Sequence, residues 1–515
     1  MSARREARKA GLMLLGLILA LVLGPGVSTG PAGQDGAAPD PADWPQFNFD
    51  PSHSGFNRAE KTLGIDTVKD LRRLFRVELP DVADGAPILA AGMATAAGAR
   101  DVLFVATKAG HLAALDARTG SRIWVRQNPA GPCRVNNGRT PCYTTSSPAL
   151  DPGRGYVYAY GLDGRAHKYR ATDGGEVTGG GWPQPATLKP FNEKGSSALS
   201  LAVDASGRGF LYVAHGGYIG DRGDYQGHLT TIEIASGEQR VFNAVCSQEA
   251  VHFEQEPGRP DCPEVQSAIW ARAGSVYVPG LDRVLVATGN GTYEPRRHHW
   301  GDSVLALGSE GTGARGDPLD SYTPADFERL DDHDLDLGST APALLPVPQG
   351  CAVRYLGIQS GKDRLLRLLN MADLSGRGGP GHTGGEIGPV MEVPQGGMVL
   401  TAPAVWVDPR TGATWTFVAN WNGISGLRLV LGEGGLPRLV VGWRQTGGAT
   451  SPVAANGVLY AAGSRSIRAL DALTGRELWR DETIGGIHWQ SPIVVNGVLY
   501  IADEAGNLTA YSISR

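Results

Sequence analysis

The chain has 515 residues, 41% of them hydrophobic and 19% charged, with a formal net charge of −5. That is ample material for a large core, and the mild acidity leaves no electrostatic footprint for nucleic acid. Gly, at 73 residues with no collagen-like period, implies many tight turns.

The first thirty residues read as an export signal. Arg4, Arg5, Arg8 and Lys9 form a basic start, and Gly11 to Leu23 is an apolar run followed by small residues at Val27-Ser28-Thr29-Gly30. The run is shorter than the roughly 20 residues of a spanning helix, so residues 1–30 are expected to be a signal peptide, with a retained anchor as the alternative. No Cys follows to carry a lipid. Residues 31–42 are a Pro/Gly/Ala/Asp linker. The implied compartment is periplasmic or extracellular.

From residue 43 to 515 one pattern recurs about eight times, at a period of about 40–70 residues, which marks a radial β array. Each copy opens on small residues, commonly followed by Pro, as in Ala86-Pro87, Ser147-Pro148, Ala341-Pro342, Ala402-Pro403, Ser451-Pro452 and Ser491-Pro492. An apolar strand, a Gly turn and a second strand follow. Small residues suit the crowded axis of a propeller, where the innermost strands converge. The expected fold is all-β, an eight-bladed β-propeller of four-stranded blades closed by an N-terminal strand. The last repeat ends after Leu508-Thr509-Ala510-Tyr511, one strand short, and Trp44-Pro45-Gln46-Phe47 is the expected donor of that strand. Helices are expected over Leu63 to Leu74, from its apolar spacing, and over Pro324 to Leu330, from its capping residues.

Five cysteines in an exported chain predict pairing of Cys133 with Cys142 and of Cys246 with Cys262, each across a polar loop. Cys351 is left over as a buried thiol. No C-x-x-C-H is present, which excludes an attached c-type haem. No phosphate loop, Ser-His-Asp order or zinc spacing stands out. Arg296-Arg297-His298-His299-Trp300 reads as a solvated loop, because adjacent side chains on an extended segment point apart.

The sharpest copies are Ala114-Leu115-Asp116-Ala117-Arg118-Thr119-Gly120-Ser121-Arg122-Ile123-Trp124 and Ala469-Leu470-Asp471-Ala472-Leu473-Thr474-Gly475-Arg476-Glu477-Leu478-Trp479. They resemble the tryptophan-docking motif of quinoprotein alcohol dehydrogenases, and residues 43–515 resemble the PQQ-binding-like propeller superfamily, which holds both dehydrogenases and non-catalytic scaffolds. The resemblance implies a PQQ- and calcium-dependent dehydrogenase acting on an alcohol or sugar with a separate electron acceptor. The alternative is a scaffold for a cell-envelope protein or glycan. Carried over residue by residue, it makes Trp270 a platform for the quinone and Asn290, in Thr288-Gly289-Asn290, a calcium ligand. Asp336, in Asp331-Asp332-His333-Asp334-Leu335-Asp336, is the matching base and Lys362 the cation at the quinone oxygens. Trp489 faces the axial channel, to cap a ligand or plug the hole. Two departures stand against the family pattern. Cys142-Tyr143 replaces a pair of adjacent cysteines, and the second calcium ligand has no clean match, Asp221 or Asp224 being the nearest candidates.

Overall fold

The computed structural model describes residues 43–513 except 97, 129–132, 136–137 and 256–258. The expected signal and linker, residues 1–42, lie outside the described residues. Eight blades of four antiparallel strands, two of them with a short fifth strand added, follow one another around a common axis. Blade one is Ile88–Thr95, Gly98–Ala106, His111–Asp116 and Arg122–Gln127, and blade eight begins at Ile493–Val495. Among the described residues, no helix is long and apolar enough to cross a membrane.

The blade-to-blade glue is the recurrent Trp. The Trp124 indole N–H donates to the Ala171 carbonyl in the next blade (3.1 Å), and Trp443 does the same to Ala472 (3.0 Å). Gly174 and Gly475 have φ near +70°, and a Cβ on either would stand 2.5–2.6 Å from the docked ring. Only Gly both adopts that turn and leaves room for the indole. The Asp of the repeat acts locally: the Asp116 carboxylate accepts the amides of Arg118 and Thr119, 3.0 Å each, and so fixes the turn before Gly120.

Closure is by an N-terminal strand, but a different one from that expected. Arg72–Glu78 pairs antiparallel with Asn507–Ser512 and completes blade eight. The expected helix over residues 63–74 is correspondingly reduced to a 3-10 turn, Val68–Asp70. Thr67 bends the chain there, its hydroxyl accepting the Gly64 amide (2.9 Å) and donating to the Thr62 carbonyl (2.7 Å). The open edge of blade eight then recruits the next segment as strand, so tertiary pairing overrides a weak helical spacing. Trp479 docks on this junction, donating to the Leu71 carbonyl (3.2 Å).

Trp44 to Phe47 instead begins a buried belt across one end of the axis. Trp44 bridges Leu89 of blade one, the Pro45 carbonyl accepts the Leu150 amide, and the Gln46 amide oxygen accepts Leu201. Farther on, Pro51 receives Tyr277, Ser54 receives Val405, and Phe56–Asn57 pairs parallel with the inner strand of blade seven. Each contact falls within an inner strand, past its small-residue opening. The openings therefore face the other end of the axis, which is where the candidate residues lie.

The second helix is Phe327–Asp332, three residues later than its expected start. Both disulfides form, Cys133–Cys142 and Cys246–Cys262. Cys351 is a free thiol on a loop and only half-buried, not a core residue. The histidine pair is also less solvated than expected. His299 is buried with its Nδ1 accepting the Cys246 amide (3.2 Å), while His298 pairs with Asp317 (2.8 Å).

Candidate functional site at the propeller axis

Four of the sequence-selected residues meet where blades four and five open onto the axis. Asp336, buried in the turn before the blade-five inner strand, accepts the Asn290 backbone N–H on Oδ1 (2.7 Å). Its Oδ2 lies 2.5 Å from the Lys362 ammonium, which also holds Asp334 at 2.6 Å. The same ammonium stands 5.6 Å from the centroid of the Trp270 ring. Gly289 permits the approach, since a Cβ there would meet Asp336 Oδ1 at 2.3 Å and Trp270 Nε1 at 3.4 Å.

The local turns explain the placement. Lys362 sits in the Gly-Lys-Asp turn joining the second and third strands of blade five, and its amide donates to the Asp336 carbonyl (3.0 Å). Asn290 follows the second strand of blade four, Arg283–Ala287. Burial raises the Asp336 carboxyl above the ordinary carboxylate range, with Lys362 and the Asn290 N–H opposing it. Burial also works against the Lys362 charge, yet Asp336 and Asp334 hold it above the ordinary lysine value.

Asp302 supports this corner and carries no signal in the repeat pattern. Its backbone N–H donates to Gly289 and its Oδ1 accepts the Leu337 amide (3.0 Å), so it ties the Asn290 turn to the Asp336 turn. Its Oδ2 is buried without a partner, and burial, with Asp336 nearby, pushes its carboxyl well above the ordinary range.

The other two candidates make no hydrogen bond or ion pair with these four among the described residues. Asp221, on the loop after the second strand of blade three, accepts the Tyr225 hydroxyl (2.7 Å). The alternative Asp224 is 3.3 Å from the buried Lys189 ammonium. Trp489 lies on the segment leading into the inner strand of blade eight, with rings of Trp421 at 5.6 Å and His488 at 4.9 Å. Beside it is a network that sequence reasoning missed. Buried Asp84 accepts from the Trp489 backbone N–H (3.0 Å) and holds His488 Nδ1 (2.8 Å) and Lys108 (3.2 Å), while Lys108 also reaches Glu504 (3.0 Å). Burial opposes the Asp84 charge, but His488, then Lys108 and Arg272, hold its carboxyl below the usual range. One rule places these groups: each lies in the segment leading into an inner strand or in the turn between second and third strands.

An eight-bladed propeller with docked tryptophans defines the PQQ-binding-like class of β-propellers. The chain belongs to the family described as outer membrane protein assembly factor BamB, whose model matches residues 69–287 and 405–515. Among solved structures it is similar to quinohemoprotein alcohol dehydrogenase ADHIIG from Pseudomonas putida HK5, at 15% identity and TM-score 0.63 over 94% of this chain and 82% of that one. It is similar to a quinohemoprotein alcohol dehydrogenase from Comamonas testosteroni at 17% identity and TM-score 0.57, over 92% and 80%. A europium-containing methanol dehydrogenase is matched at 15% identity and TM-score 0.62, over 92% and 98%. At these identities the likeness is one of fold. No curated protein matches in sequence.

Proposed function

We propose that this protein is an exported quinone-dependent dehydrogenase that oxidises an alcohol or sugar at the axis and passes electrons to a separate acceptor. The observation that carries the reading is the meeting of Trp270, Asn290, Asp336 and Lys362 at one corner. Three of the four lie between residues 288 and 404, the stretch that the BamB family model leaves unmatched.

The residues present fit a quinone of the PQQ class, with an aromatic face at Trp270 and a cation beside it. Bound there, such a group supplies a two-electron acceptor. Asp336 is the base for the substrate hydroxyl proton. Each of its oxygens accepts one bond in the structure and keeps a further lone pair for that hydroxyl. Burial makes it more basic than a surface carboxylate. Lys362, fixed between Asp336 and Trp270, provides the positive charge against which negative charge on a ring-stacked acceptor is stabilised. Asp302 acts through the Leu337 amide and positions Asp336.

Calcium fits less well. The ion takes about six to eight oxygens. Here Asp336 is already paired with the Lys362 ammonium, Asp221 makes no contact with Asp336 or Asn290, and three side chains fall short of the roughly six oxygens a calcium ion takes. That shortfall favours the second reading, a non-catalytic propeller binding a cell-envelope protein or glycan.

Titration with PQQ, with and without calcium and chelator, followed by Trp fluorescence and by dye reduction over a panel of alcohols and sugars, separates the two. The dehydrogenase reading expects saturable quenching lost in Trp270→Ala and dye reduction at least ~100-fold lower in Asp336→Asn. No quenching under any condition leaves the scaffold reading.

A further inference from the structure

The opposite side of the same axial mouth holds two buried basic groups, Arg272 and Lys194, that make no ion-pair contact among the described residues, Asp84 being the carboxylate that acts on both from a distance. Arg272, two residues beyond Trp270, is 4% exposed. Its guanidinium directs its terminal donors to neutral oxygens: the Thr145 hydroxyl (3.0 Å) and carbonyl (2.7 Å), the Ser196 carbonyl (2.7 Å) and the Asp84 backbone carbonyl (3.2 Å). Its Nε–H is buried and unpartnered. Lys194, 8% exposed, points its ammonium at the face of Tyr143, 4.5 Å from the centroid. Among the described residues it has no carboxylate in ion-pair contact.

The nearby anions are already committed. Asp84 and Glu504 share Lys108, and Asp84 also holds His488. A protonated Lys194 therefore adds an unbalanced positive charge in a desolvated place, which is costly unless an anion completes it. Burial, with Arg272 and Lys108 alongside, drives the Lys194 amine down to about 7, and burial lowers Arg272 to about 10. Apolar surface adjoins the cations: the Arg272 guanidinium stands 5.8 Å from the Trp489 ring, and Trp489 neighbours the half-exposed Trp421.

We infer that Lys194 and Arg272 form a carboxylate-binding site for an aromatic acid whose ring rests on the Trp421–Trp489 rim. A guanidinium with a free Nε–H and an adjacent ammonium suit a carboxylate, and aromatic rings at the rim suit a flat body. The ligand is an aromatic acid other than the proposed quinone, whose ring lies on Trp270. The site needs neither Asp336 nor Lys362.

The test uses the full chain and benzene-1,3,5-tricarboxylate, benzoate and PQQ as calorimetric probes, with pairwise lysine labelling at pH 7 read by mass spectrometry. The tricarboxylate is expected to bind, to weaken with salt, to protect Lys194 from labelling, and to lose at least tenfold in affinity in Lys194→Met with melting unchanged. Arg272→Lys is the second variant, because larger truncations there would release four backbone and hydroxyl contacts. Simultaneous binding of PQQ and the tricarboxylate is expected, and competition between them makes these cations part of the quinone site and overturns the inference. Binding retained in Asp336→Asn while dye reduction is lost keeps this site distinct from the dehydrogenase reading. Absence of binding by every probe, with Lys194 labelled alike in their presence, overturns the inference.

Discussion

Removing the Lys362 ammonium tests the axial corner most directly. In Lys362→Met, Asp336 keeps the Asn290 N–H but loses the cation 2.5 Å from Oδ2, and its carboxylate is left buried. Removing one partner of a buried pair costs about 3–5 kcal/mol. Lys362 retains 15% side-chain exposure, so water reaches the pair and ~2–4 kcal/mol is the expected loss near pH 7.5. The pH dependence follows from the sign of the Asp336 shift, which is already upward and goes further up without Lys362. A raised carboxyl binds its proton more tightly in the folded state. The penalty is therefore absent below the unfolded carboxyl value, near about 4, and grows as pH rises toward the folded value. Urea melts of wild type, Lys362→Met, Asp336→Asn and the double variant at pH 4.5 and 7.5 give the answer. The loss in Lys362→Met should shrink by more than half at pH 4.5, and adding Asp336→Asn should recover most of it at pH 7.5. An equal loss at both pH values, or additive single effects, would refute the pairing as the source of the corner's geometry.

Asp302→Asn keeps the acceptor for the Leu337 amide and removes a carboxyl whose buried Oδ2 has no partner. Because burial raises the Asp302 carboxyl, the wild type loses stability as pH rises; the variant should gain about 1–3 kcal/mol over it at pH 8 and nothing at pH 4, by denaturant titration. Gly174→Ala forces a Cβ to 2.6 Å from the docked Trp124 ring at φ +69°, and should cost roughly 2–5 kcal/mol by the same assay. Trp124→Phe, which forfeits only the bond to the Ala171 carbonyl and part of the ring, should cost about 1–2 kcal/mol.

The architecture was legible because a propeller repeats its own constraints. Small residues before each inner strand, an Asp whose carboxylate fixes a turn, a Gly with φ near +70° and a docking Trp are separate demands of one blade-to-blade junction. The closing strand was not legible for a complementary reason. Arg72–Glu78 carries a half-exposed, Arg-rich outer strand with no alternation strong enough to announce itself, and its pairing is dictated by the vacant edge of a blade more than 400 residues away in sequence. The belt from Trp44 onward was misplaced because its aromatic residues signal burial without signalling against what.

For the site, position and chemistry have to be kept apart. Any side chain placed just before an inner strand arrives at the axial mouth, so the convergence of Trp270, Asp336 and Trp489 on that end follows from the fold. A scaffold would show the same convergence. What the fold does not supply is the pairing of charges once they arrive. At blades four and five a lysine is held between two carboxylates and an indole, a closed arrangement that leaves a base and a cation poised together. Across the mouth Lys194 and Arg272 are buried with no such closure. Buried basic groups are retained at a cost, and a ligand anion that offsets the cost there leaves its signature in Lys194, whose lowered amine is drawn back up as the anion binds.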